Sequence, residues 1–96
     1  MSEIDEILDK AMRELREEGL NPDLLLVGPD FLRYSAEVLR KYSGTLKIYK
    51  IEELGFDAVI ADSSFLGQIR RASRRISIEP LFREREMWEE FQKLEV

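Results

Sequence analysis

Four arginines fall within six residues, Arg70, Arg71, Arg74 and Arg75, and Arg83 and Arg85 follow closely. Such a cluster makes a local positive field suited to phosphate, nucleic acid or an acidic protein surface. The aromatic residues near it are few and unordered, whereas the acidic N-terminal segment of a second copy would complement it. Its expected use is subunit contact or a solvated loop, with nucleic-acid binding as an alternative. Asp62-Ser63-Ser64 offers a hydroxyl nucleophile at the end of an apolar run, yet the chain holds neither histidine nor cysteine. That excludes every scheme with an imidazole base or thiolate nucleophile, and zinc sites built on either ligand. No lysine is placed beside these serines by any local pattern, so ordinary turn chemistry is the expectation. Asp57 and Asp62 lack the regular ligand spacing of a hard-cation loop. No metal, cofactor or catalytic residue is expected.

Gly28-Pro29-Asp30 joins an apolar run to a helical pattern, the layout in which free N–H groups at a helix start attract anions. A single glycine, a proline without an N–H and the charge of Asp30 all oppose that use, so a tight turn is expected. Near the C-terminus, Trp88 and Phe91 could anchor a partner, with Met87, Leu81 and Phe82 beside them. Packing of a last helix against the core is the competing expectation.

These residues must be positioned by a small set of elements. Ser2 with Asp5 imitates a capping box, and Ile4, Ile7, Leu8, Ala11, Met12 and Leu15 form one apolar stripe up to Gly19, so a first helix is expected there. Leu24 to Val27 is wholly apolar between Pro22 and Gly28 and reads as a buried strand. From Pro29 the period changes to 3.6, with Leu32, Ser35, Val38, Leu39 and Tyr42 on one face and Gly44 as the stop. Further strands are expected over 45–51, 56–61 and 75–82, with Pro80 at an edge or strand end, a connection of unassigned form over 65–75, and a last helix over 85–93. The fold class is mixed α/β (α+β), a two-layer arrangement in which helices cover a small mixed four-stranded sheet.

Ninety-six residues at 44% hydrophobic composition imply one domain, residues 1–96, with one core. The net charge of −5 opposes nonspecific adhesion to nucleic acid or anionic membrane. No apolar run reaches the length of a signal core or membrane span, so a cytoplasmic protein is expected. Abundant charge beside three side-chain amides, Asn21, Gln68 and Gln92, fits a thermophile.

The run from Tyr34 to Ser63, YSAEVLRKYSGTLKIYKIEELGFDAVIADS, resembles the A domain of encapsulins, shell proteins with the tailed-phage capsid fold. There, too, a strand leads into a helix, a glycine turn and two further strands, and an I-E-x segment precedes an apolar strand. Ile51-Glu52-Glu53 and Ala58-Val59-Ile60 stand in those places. The chain is similar to truncated encapsulin relatives reduced to this domain, of unknown function and found in heat-loving prokaryotes. The resemblance implies a non-catalytic self-assembly or interaction module. It places Tyr42, Ser43, Gly44 and Thr45 at the turn that approaches a symmetry axis, and it suggests association with metabolic enzymes. The peripheral domain and extended loop that lock capsid subunits have no counterpart, so association through the A domain alone is the expectation. The expected partner is a second copy or another protein. A small histidine-independent enzyme or phosphate-ligand protein is the alternative.

Overall fold

A computed structural model describes residues 3–68 and 72–82. Helix α1 (Glu3–Glu17) buries Leu8, Ala11, Met12 and Leu15, as its stripe predicts. Gly19, at φ 84°, then turns the chain in a conformation costly for any residue with a Cβ. Strand β1 (Leu24–Val27) leads into α2 (Pro29–Arg40), and β2 (Lys47–Lys50), β3 (Asp57–Ala61) and β4 (Ser73–Ser77) follow. The sheet has the order β2-β1-β3-β4, with β1 parallel to β2 and antiparallel to β3, and β3 antiparallel to β4. The expected fold class is the one observed, with β1 and β3 as the central pair.

Register explains the burial. Leu25 lies opposite Ile60, Val27 opposite Ala58, and Ala58 in turn opposite Ile76. Leu25, Val27, Ala58 and Ile60 are fully buried and join Leu8, Leu15 and Phe31 in one core. Each large aliphatic side chain buried this way contributes roughly 1.5–3 kcal/mol before entropy is counted.

Three elements depart from expectation. The last strand is Ser73–Ser77 rather than 75–82. Main-chain bonds from Asp62 N–H to the Ala72 carbonyl (2.9 Å) and from Ile78 N–H to the Phe56 carbonyl (3.1 Å) bracket it. Residues 79–82 are helical, with Ser77 Oγ accepting the Glu79 N–H at 3.1 Å. Pro80 therefore sits in a first helical turn, where its missing N–H costs nothing, and not in a strand. In α2 Phe31 is fully buried, as is Ser35, and the expected stripe omitted it although it lies one turn before Ser35. Gly44 is not the helix stop: α2 ends at Arg40, with Lys41 as its cap in the ordinary right-handed region, and Gly44 has no positive φ. Part of the unassigned connection is a 3₁₀ segment, Ser63–Gln68, and the expected helix over 85–93 lies outside the described residues.

One contact orders the corner between β1 and α2. A Cβ on Gly28 would lie 2.1 Å from the Gly55 carbonyl oxygen. Gly28→Ala should therefore destabilise the protein by roughly 3 kcal/mol in chemical denaturation, because backbone and not a flexible side chain must move. Gly44→Ala, with nothing within 4 Å of its Cβ, should be neutral or stabilise by about 0.5 kcal/mol.

Candidate functional site

The turn after α2 carries the residues singled out from the resemblance. It is closed by main-chain bonds from Tyr42 N–H to Leu39 O (3.0 Å), Thr45 N–H to Tyr42 O (2.9 Å) and Leu46 N–H to Tyr42 O (2.7 Å). Ser43 Oγ donates to the Arg40 carbonyl at 3.0 Å. Leu46 is buried beneath, while Ser43, Gly44 and Thr45 are exposed. Such satisfaction of local backbone groups makes a turn ordered before it meets anything.

A buried carboxylate pins this turn to α1. Tyr42 Oη donates to Asp5 Oδ1 at 2.9 Å, and Lys41 Nζ donates to Asp5 Oδ2. Asp5 is only 6% exposed, and the Lys41 and Tyr42 hydrogen bonds hold its carboxyl below the ordinary 3.8. Burial, with the Asp5 contact second, pushes Tyr42 up to about 12, so its phenol stays a donor across the physiological range. The sequence reading gave Asp5 a capping role and missed this one. Its signal was position, since Asp5 lies three residues before Leu8 and seven before Met12, on the buried stripe of α1.

The basic patch is divided by the alternation of β4. Arg74 pairs with Glu14 on α1 (3.5 Å) and with Glu18 in the turn that follows it, and its guanidinium is held more basic chiefly by Glu18. Arg75 pairs with Asp57 at 2.7 Å. Both arginines thus meet carboxylates within the chain, while Arg70 and Arg71 lie outside the described residues, as do Trp88 and Phe91.

The catalytic alternatives meet structural uses. Ser63 Oγ donates to Asp23 Oδ2 (2.6 Å) and Ser64 Oγ to Asp62 Oδ1 (2.6 Å), while Asn21 N–H donates to Asp62 Oδ2 (2.9 Å). These bonds tie the start of β1 to the end of β3 and depress both carboxyls, Asp23 through Ser63 and Asp62 through Ser64. At the start of α2, the Gly55 carbonyl already accepts the Asp30 and Phe31 N–H groups at 3.1 and 3.0 Å. The donors an anion would need are occupied. Among the described residues no group of three His, Cys, Asp or Glu side chains could hold a metal ion. An open groove of roughly 300 Å³ between α1 and β4 is lined by Ile7, Ala11 and Ile76 and by the charged Lys10, Glu14, Arg74 and Arg75, of which the last three are in ion pairs.

The turn is exposed at Ser43, Gly44 and Thr45 and held from α1 through Asp5, and comparison with known proteins places the chain in a family. The family described as "putative type 4B encapsulin shell protein" matches residues 1–80. The chain belongs to this encapsulin family. A curated relative of the same description, from the thermophilic archaeon Pyrococcus furiosus, is 53% identical over 89 residues, which is 93% of this chain and 84% of the relative. The resemblance read from Tyr34 to Ser63 is thereby borne out, and the family is a structural one. Among the described residues no helix is long and apolar enough to cross a membrane.

Acid should loosen the pinned turn. Asp5, Asp23, Asp57 and Asp62 all have lowered folded values, so their stabilisation is complete above their unfolded values and is lost as pH falls through and below 3.8. Thermal unfolding followed by circular dichroism should show stability flat from about pH 5 to 8 and falling steeply below about pH 4. Tyr42→Phe should cost roughly 1 kcal/mol at neutral pH in the same assay.

Proposed function

We propose that this chain is a non-catalytic shell subunit that associates with copies of itself, with the turn Tyr42, Ser43, Gly44 and Thr45 at the contacts. Membership of the encapsulin shell family carries the reading, and the turn supports it because it is both exposed and immobilised. A rigid contact loses little conformational entropy on docking, so more of its interaction energy remains as affinity. The arginine segment, with Arg70 and Arg71 in addition to the paired Arg74 and Arg75, and the Trp88 and Phe91 anchor are further contacts in this reading. Association with a metabolic enzyme would be a second layer, built on the assembled surface. A cysteine-free, charge-rich chain suits a cytoplasmic setting. The internal pairing of Arg74 and Arg75 weighs against nucleic-acid binding, and the occupied helix start weighs against a phosphate ligand.

Light scattering across concentration and salt tests this directly. The expected result is a mass several times that of the 11.3 kDa chain, reduced by the pair Ser43→Asp and Thr45→Asp without loss of helical signal. A strict monomer under all conditions would sink the self-association reading. A stable multimer unchanged by the two substitutions would move the contact elsewhere.

A further inference from the structure

Among the described residues, strand β2 lies at the edge of the sheet and is paired with β1 alone. Lys47 N–H donates to the Asp23 carbonyl (2.9 Å) and Ile51 N–H to the Val27 carbonyl (2.8 Å). Because alternate residues of a strand turn their main-chain groups to opposite sides, the N–H and C=O of Ile48 and Lys50 face away from the sheet. This row of donors and acceptors is the template on which an extended chain adds as a strand. Side chains set who can use it. Lys47, Tyr49 and Lys50 are exposed, with Tyr49 53% accessible, while Ile48 packs partly on the core. Residues 38–51 contain four basic side chains and no acidic one, in a chain whose net charge is −5.

That charge pattern disfavours the simplest occupant. In the antiparallel register centred on Ile48 opposite Ile48, a second copy of β2 sets Lys47 opposite Tyr49 and gathers four lysines along one seam with no carboxylate among the paired residues. Like charges brought close together repel, whereas an acidic strand at the same seam would neutralise them.

We propose that the β2 edge is a docking site for an extended acidic segment of another protein, added as a fifth strand. Its core pattern is acidic-apolar-apolar-acidic, so that carboxylates lie opposite Lys47 and Lys50 and apolar side chains lie opposite Ile48 and Tyr49. The pattern reads the same in either direction. Among the described residues, only Lys50 of the two has a competing partner, Glu52 at 3.4 Å, and that pair is exposed. The surface is separate from the turn assigned to self-association.

The test uses the whole chain and two labelled, blocked octapeptides, one with the core Glu-Val-Val-Glu and one with Lys-Val-Val-Lys. Fluorescence anisotropy should show the acidic peptide binding about tenfold more tightly, from two charge pairs that change sign between the peptides. High salt should erase much of that preference. Amide exchange should slow at Ile48 and Lys50 when the acidic peptide is bound. Lys47→Glu with Lys50→Glu should reverse the preference. If that pair fails to fold, Lys47→Gln with Lys50→Gln should abolish it. Equal binding of the two peptides, binding of neither up to millimolar concentration, or protection confined to other residues would overturn the proposal and leave the lysines as guards against edge-to-edge aggregation.

Discussion

The close approach of two backbones, Gly28 on the way out of β1 and Gly55 on the way into β3, is the constraint on which the rest of the molecule depends. No side-chain atom fits between them. Because they touch, the Gly55 carbonyl can cap two N–H groups of α2, and Gly28 N–H can reach the Asp57 carbonyl at 2.9 Å. That single junction starts the helix, aligns β3 against β1 and sets the register that turns Leu25, Val27, Ala58 and Ile60 toward one core. It also consumes the positive end of the helix, which otherwise invites an anion. The feature that makes the fold possible removes a ligand site at the same place.

At the far end of α2, the chain meets a second constraint of a different kind. Asp5 brings a carboxylate to the edge of the core, and the Tyr42 and Lys41 hydrogen bonds offset the cost of its burial. The result is a short exposed segment whose position is fixed from both sides, by Leu46 below and by α1 beside it. Under the proposed self-association, such a fixed segment would hold the contact geometry that symmetry repeats around an assembly. Arg74 makes a comparable tie, fastening β4 to α1 through Glu14 and to the turn after α1 through Glu18.

Most of the architecture was legible in the sequence because it is written in local periodicity. The stripe of α1, the apolar runs of β1 and β3, and the change of period at Pro29 each depend on neighbours within a few residues. Errors arose where distant partners decide. Pro80 was read as a strand end, but Ser77 caps a helical turn there. Gly44 was read as a helix stop, but the Tyr42 bond to Asp5 sits thirty-seven residues away in the chain and holds that turn without a left-handed glycine. Arg74 and Arg75 looked like neighbours in one patch, whereas a strand sends them to opposite faces and to different carboxylates. Function was legible only through resemblance: Asp62, Ser63, Ser64, Arg74 and Arg75, the reactive or charged residues singled out, each make a bond within the fold, and none of their spacings names a reaction.

We propose that copies of the chain meet at the pinned turn from Tyr42 to Thr45. Hydrogen–deuterium exchange of the intact protein at high and at low concentration, resolved to single amides, tests it most directly. The account predicts that the amides of Ser43, Gly44 and Thr45 exchange markedly more slowly in the concentrated, associated protein, while those of β1 and β3 are unchanged. Equal exchange of the turn at both concentrations, in a protein whose mass has risen, would contradict it.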